Sequence, residues 1–485
     1  MSPTPPIPES LWNTVPPDAQ AALLAVFESL RCRIAELDQR VADLEARLKL
    51  NSTNSSKPPS SDPIGLKRKP PAPPTGRKSG GQPGHVRAQR PLVPPEKLRS
   101  STDCRPATCR RCAQPLRGDD PEPLIHQVAD LPRIEPIVDE YRLHRLRCPD
   151  CGATTCGTPP AGVPSGSFSP YTQAVLATLA GAYRLSKRQI QQLTADLFGL
   201  TISTGMISKL EKRSAAALAE PYDELARSVL EAEAVNIDET GWREDRRKAW
   251  LWVTVTAVAT VFTIARHRSA AVAQRLLGDK EDQVVSSDRF KSYDWLWAYW
   301  RQVCWSHLRR DFQAMIDRGG PGERIGRRLL GLSDRLFEAW HRARDGTLEE
   351  EAFQERILRL RPRVRRALED GTKCSCATTA RTCAEILRVE EGLWNFVWFP
   401  GVEPTNNAAE RALRHAVIWR RISGGTASES GSRFVERMLT VVATCRQQGQ
   451  NVLEFLTRCF RAYLEGQSSP SLLPSAVIVQ ATSEC

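Results

Sequence analysis

Two aspartates sit where short apolar runs stop. Asp238 lies in Ala234-Val-Asn-Ile-Asp-Glu-Thr-Gly-Trp242, and Asp288 closes Gln283-Val-Val-Ser-Ser. Val235 and Ile237 alternate with polar neighbours, which predicts a half-buried strand with Asp238 near its end. Hard carboxylate oxygens at neighbouring strand ends are what Mg²⁺ requires. A shared pair of Mg²⁺ ions is one device for cutting a phosphodiester. A third acid, Glu410, lies in Pro404-Thr-Asn-Asn-Ala-Ala-Glu-Arg-Ala-Leu-Arg414. Local spacing reads it differently, because Asn407 and Glu410 have the N-cap to N3 spacing of a capping box. Arg411 and Arg414 flank it, suited to gripping phosphates or, for Arg414, to an i,i+4 pair with Glu410.

The elements around these acids have a readable order. Strands are expected within 249–257 and 260–266, then a helix over about 269–278 and the strand ending at Asp288. A helix rich in tryptophan (Trp295, Trp297, Trp300), a strand Gln302–Trp305 and a helix from about His307 follow. Three strands, helix, strand, helix, strand, helix is the plan of an RNase H-like α/β core. Residues 311–403 read as mostly helical, so a helical insertion is expected over about 318–403. Cys304 and His307 form a C-x2-H segment that fits a brace, a substrate contact or core packing. Cys374, Cys376 and Cys383 read as core.

A second chemistry comes from sulfur. Cys109-Arg-Arg-Cys112 and Cys148-Pro-Asp-Cys151-Gly152 are two CxxC pairs. Each tight turn can supply two thiolates to a tetrahedral, structural Zn²⁺. Cys104 and Cys156 stand nearby as alternative ligands. Further on, Ser186–Leu197 is amphipathic and Gly199 ends it. Ser203 can cap a next helix with Met206, Ile207 and Leu210 inward. That is helix-turn-helix spacing, with Thr204, Ser208, Lys209 and Lys212 turned to a major groove.

The N-terminal part carries a heptad pattern over residues 20–50. Leu23, Leu30, Leu37 and Leu44 fall at d, and Phe27, Ile34, Val41 and Leu48 at a. Arg33 and Arg40 at g would face Asp38 and Glu45 at e of a parallel partner, so a homodimeric coiled coil is expected. An amphipathic helix packed on its own chain is the alternative. Residues 51–100, rich in Pro, Ser and Gly, hold ten Lys and Arg against two acids, a linker able to lie along phosphates.

Across 485 residues, 68 Lys and Arg exceed 56 Asp and Glu, a net charge of +12 that favours a polyanionic partner. The 17 uncharged residues Ala249–Ala265 contain four threonines and alternate, so they read as sheet and no membrane partner is expected. The N-terminus has no secretion signal, so the expected location is cytoplasmic, at the bacterial nucleoid. Paired cysteines in that reducing compartment point to metal rather than disulfide.

The segments VNIDETGWR, SSDRFKSYDW, CWSHLRRDF and PTNNAAERALRHAVIWRRISGG resemble transposases of the insertion sequence 66 family. NSTNSSKPPSSD, GGQPGH and the cysteine module resemble the same family. The resemblance implies a DDE transposase with an RNase H-like core and the triad Asp238, Asp288 and Glu410. It is the resemblance, not the spacing, that moves Glu410 from cap to catalyst. It implies Mg²⁺ (two ions, with Mn²⁺ as an alternative), DNA as both element end and target, and accessory proteins of the same element. The expected multidomain α+β chain has a coiled coil (1–50), a basic linker (51–100), a zinc-binding module (101–160) and a helix-turn-helix-like domain (165–225). A catalytic domain (230–465) and a tail (466–485) complete it. A zinc-dependent DNA-binding regulator without catalysis, and a nuclease that cuts without joining, are the competing readings.

Overall fold

The computed structural model describes residues 8–48, 51, 54–55, 91–278 and 282–474. The NSTNSSKPPSSD and GGQPGH segments lie almost wholly outside the described residues, as does the end of the tail.

The N-terminal heptads form one helix. After a short turn of helix, α1 (Glu9–Trp12), α2 runs Pro17–Leu48. Leu23, Leu30, Ile34, Leu37 and Val41 are exposed along it. Arg33 and Arg40 both pair with Glu36 of their own helix, at 2.7 and 2.8 Å. Such exposed pairs contribute little to stability.

The chain divides into two compact units. The smaller comprises Lys67–Asp139 with Leu193–Thr201 and carries the first cysteine turn. There Cys109 accepts the Ala113 N–H through its carbonyl and donates its own N–H to Gln114. In the larger unit, β1 (Arg145–Arg147) and β2 (Thr154–Cys156) form an antiparallel hairpin around the second cysteine turn. Gly152 takes φ +71° there and donates to the Cys148 carbonyl, a conformation open to glycine without strain.

Four helices precede the main sheet: α3 (Pro170–Gly181), α4 (Lys187–Phe198), α5 (Thr204–Ala217) and α6 (Ala219–Glu231). Ser203 caps α5 through the Met206 N–H, and Ile207 and Leu210 are buried, as the spacing predicts. Thr204, Lys209 and Lys212 are exposed, whereas Ser208 takes a hydrogen bond from Lys187 at 2.7 Å. These helices share one hydrophobic cluster with the sheet that follows, so the sheet buries one face against them.

That sheet has five strands: β3 (Ala234–Glu244), β4 (Arg247–Val255), β5 (Thr260–Ala265), β6 (Val284–Ser287) and β7 (Arg301–Val303). Their order is β5-β4-β3-β6-β7, antiparallel from β3 outward to β5 and parallel from β3 to β7. The helix α7 (Ala270–Leu277) carries the crossover from β5 to β6.

The β5 edge is closed by side chains. The N–H groups of Thr260 and Phe262 donate to Thr444 Oγ1 and Thr440 Oγ1 of helix α13 (Glu429–Gln447) at 3.1 and 2.9 Å. The Ile264 N–H donates to Glu436 of the same helix. Four residues of helix rise about 6.0 Å and two of strand about 6.7 Å, so the two repeats match over one turn. An open edge is thereby removed.

The region expected as an insertion is helical. Helices α8 (Trp305–Arg318), α9 (Pro321–Arg344), α10 (Glu350–Thr372) and α11 (Ala377–Leu387) bury a second apolar cluster that reaches Val284 and Val303 of the sheet. Of the three cysteines expected in the core, Cys383 is buried there, while Cys374 and Cys376 are only partly buried. Then α12 (Asn407–Ser423), α13 and α14 (Val452–Glu465) return to the sheet.

Two local expectations are corrected. The tryptophan-rich segment forms no helix; it makes two short 3-10 turns, Lys291–Tyr293 and Ala298–Trp300. Its Tyr293 carbonyl accepts the Leu296 N–H in a tight turn and, besides, a hydrogen bond from Arg301. The capping box is also absent. Asn406, not Asn407, is the N-cap of α12 and makes no side-chain cap, and the Glu410 carboxylate faces Arg310.

Candidate active site

Strand register brings the two aspartates together. Asn236 of β3 is the partner of Ser286 of β6. Two residues further along β3 stands Asp238, and two further along the other chain segment, just past the end of β6 at Ser287, stands Asp288, close enough for its charge to act on Asp238. Strand alternation then separates Asp238 from its neighbour Glu239. Val235, Ile237 and Glu239 are buried on the core face, while Asp238 is partly exposed on the other. Glu239 is an anchor: its carboxylate takes hydrogen bonds from the buried Tyr293 hydroxyl and from Arg268. Arg268 in turn stacks on Phe290, two residues past Asp288.

Asp288 sits on a turn held by one buried guanidinium. Arg301 of β7, 2% exposed, donates to the Asp288 carbonyl at 2.9 Å and to Ser287 Oγ at 3.2 Å. It also donates to the Tyr293 carbonyl at 3.0 Å and Asp294 at 3.3 Å. The Asp288 carboxylate itself accepts the Phe290 N–H at 2.8 Å.

Glu410 arrives on α12. Asn406, wholly buried, donates from Nδ2 to the Ile237 carbonyl at 2.7 Å, next to Asp238. Its N–H donates to Cys304 Sγ at 3.1 Å. This one residue ties the start of α12 both to β3 and to the start of α8. Glu410 accepts from Arg310 Nη2 of α8 at 3.0 Å and lies 3.6 Å from His307 Nδ1. No pair with Arg414 forms among the described residues, and Arg414 is exposed.

The electrostatics follow. Burial pushes the Asp238 carboxyl well above the usual carboxylate range, reinforced by the charges of Glu239, Asp288 and Glu410. Among the described residues, no basic side chain forms an ion pair with Asp238 or Asp288. Burial and the Arg310 charge lower the His307 imidazole from its usual range. Burial raises the Cys304 thiol to about 11.

One further ligand set converges here. Cys304, His307 and Glu410 offer atoms all within 4.8 Å of one another. Elsewhere, the two cysteine turns each lower a thiol. Backbone N–H groups of Arg111 and Cys112 stabilise the Cys109 thiolate, and those of Cys151 and Asp150 the Cys148 thiolate.

Residues 165–433 match the Transposase IS66 family. The chain belongs to that family of transposases. Membership implies an enzyme that cuts and joins DNA, with DNA as its partner and divalent metal in use. Residues 9–91 match a family of unknown function. The transposase is similar to the uncharacterized protein y4hP of Sinorhizobium fredii, 25% identical over 380 residues, which are 70% of this chain and 68% of the relative. It is also similar to the uncharacterized protein y4jO of the same organism, 33% identical over 130 residues, 27% of this chain and 36% of that one. Among the described residues of the transposase, no helix is long and apolar enough to cross a membrane.

Arg301, Asn406 and Arg310 were not singled out by the sequence. Asn406 stands in a run of two asparagines and Arg310 in a run of two arginines, and nothing local distinguishes the pair members.

Proposed function

We propose that the transposase cuts and joins DNA through a triad of Asp238, Asp288 and Glu410 in an RNase H-like core. The observation that carries this reading is the parallel pairing of β3 with β6, which leads both strands toward one end where Asp238 and, just past β6, Asp288 follow. The strand order β5-β4-β3-β6-β7, with three antiparallel and two parallel strands in one sheet, is that of the RNase H-like plan. The donor set fits a hard dication: all carboxylate oxygens, two of the acids without a basic partner, and the Asp238 carboxyl raised by the acids around it. Two Mg²⁺, when bound, would activate the attacking oxygen and stabilise the leaving one.

The chain's own groups set the geometry. Arg301 holds the Asp288 turn, Asn406 holds the start of α12 against β3, and Glu239 anchors β3 from the core face. The proposed reaction is hydrolysis of one strand at each element end, then attack of the freed 3′-hydroxyl on target DNA. Both steps present an oxygen nucleophile to a phosphodiester, so one site serves both.

The flanking parts would bring the DNA. Cys109, Cys112, Cys148 and Cys151 would hold a structural Zn²⁺, and backbone N–H groups lower the thiols of Cys109 and Cys148, which favours that ligation. Helix α5 would enter the major groove with Thr204, Lys209 and Lys212. The exposed apolar stripe of α2 would pair two copies as a coiled coil, suited to two inverted ends. The domain boundaries, nucleoid location and accessory partners expected from sequence belong to this same reading.

The test uses purified protein, Mg²⁺ and DNA carrying the sequences that flank the gene. Cleavage at the element boundary and joined products should vanish in Asp288→Asn while end binding persists. Specific binding with no cutting, even with the element's other proteins added, would instead favour the regulator.

A further inference from the structure

We propose that Arg310 is a DNA-phosphate ligand that Glu410 holds until a divalent cation takes the carboxylate. This rests on the triad reading of Glu410.

The argument begins with the arginines around the site. Arg289 pairs with Asp311, Arg309 with Asp334 at 2.6 Å, and Arg301 with Asp294 and the carbonyls of its turn. Each keeps an acid outside the triad, so none loses its partner when the triad is occupied. Arg310 differs. Among the described residues, the acid it pairs with is Glu410, at 3.0 Å.

Arg310 and a dication would compete for the same small carboxylate. Two cations sharing those oxygens repel, and the doubly charged ion binds the more strongly. Arg310 then stands on the first turns of α8, 23% exposed, beside a positive centre with no acid of its own. A guanidinium in that position needs an anion, and its planar fork matches phosphate oxygens. The DNA backbone entering the site supplies them. His307 supports this geometry: its Nδ1 is buried without a hydrogen-bond partner, 3.6 Å from the same oxygen, so it offers Glu410 no alternative lock.

The exchange couples the two ligands. Cation binding frees a phosphate ligand, so by linkage DNA also favours cation binding. Arg310 thereby ties occupancy of the metal site to the presence of substrate.

The experiment measures end-DNA affinity of the full chain against salt, using a duplex with the gene's flanking sequence. Each phosphate contact adds about 0.9 to the slope of log affinity against log salt. Ca²⁺ serves as the oxygen-seeking cation, and a chelator removes it. Wild type should gain about 0.9 in slope on adding Ca²⁺, with about tenfold tighter binding at low salt. Arg310→Gln should show neither gain. Arg310→Lys, which keeps the charge, should retain most of the slope. In chelator, Glu410→Gln should show the steeper slope without any cation, and the double variant should lose it. A Glu410→Gln gain that persists without Arg310, or no gain at all, overturns the proposal. If Ca²⁺ leaves wild type unchanged while the Glu410→Gln gain still depends on Arg310, the metal reading of Glu410 fails and the phosphate role stands.

Discussion

Asp238 is the place where the proposed site stores repulsion. It stands on β3 with Asp288 just past the end of the paired β6, and the charges of Asp288 and Glu410 both reach it. Two unit charges about 5 Å apart interact by about 3 kcal/mol at an effective dielectric constant of 20. Replacing Asp238 by Asn keeps the shape and removes one charge of that pair. Part of the gain is lost because screening already weakens the repulsion, so the net stabilisation without divalent cation should be about 2 kcal/mol. In a domain of this size that is a rise of about 4–8 °C in melting temperature. The assay is thermal unfolding of wild type and Asp238→Asn, in chelator and in Mg²⁺. Wild type should melt lower than the variant in chelator and gain stability with Mg²⁺, whereas the variant should gain much less. A variant that melts lower than wild type in chelator would refute the reasoning, because the aspartate would then be a net stabilising group. Equal Mg²⁺ stabilisation of both proteins would remove Asp238 from the metal-binding set.

Other expectations follow from single contacts. Burial raises Glu436 to about 7, above its unfolded value of about 4.3, so its contribution is full below pH 4 and is lost as pH rises through 7. Glu436→Gln should flatten the fall in stability between pH 5 and pH 8, an effect of up to about 3 kcal/mol, read from denaturant midpoints at each pH. Arg301→Lys should destabilise by about 2–4 kcal/mol, since a lysine reaches fewer of the four groups that the guanidinium ties; an unchanged melting temperature would show that the turn holds itself. Asn406→Ala breaks the buried bond to the Ile237 carbonyl and should cost about 1–3 kcal/mol, with a larger loss of DNA cutting than of end binding. Deleting residues 1–50 should halve the mass seen by light scattering if α2 pairs two copies.

Much of this protein is determined by its sequence read alone. The alternation of Val235, Ile237 and Asp238, the end of β6 at Asp288 and the order of strands and helices are local or periodic signals. They survive because side-chain direction in a strand repeats every two residues whatever lies around it. The cap of α5 at Ser203 and the turns around both cysteine pairs are equally local. The tryptophan-rich segment misled because its helix-like composition carries no trace of Arg301, which binds the Tyr293 carbonyl from across the turn.

Tertiary structure alone decided the rest. Sequence spacing offers Glu410 to its own helix, but Arg310 meets it from 100 residues away. Asn406 and Asn407 are identical in type, and only the packing of α12 on β3 selects Asn406 to reach the Ile237 carbonyl, 169 residues back. Asp238 and Glu239 are adjacent acids, and only the packing of the folded sheet leaves one of them buried and the other partly exposed. A linear pattern encodes which residues share a face. Which face is covered, and which distant side chain arrives to cover it, is settled only when the layers close.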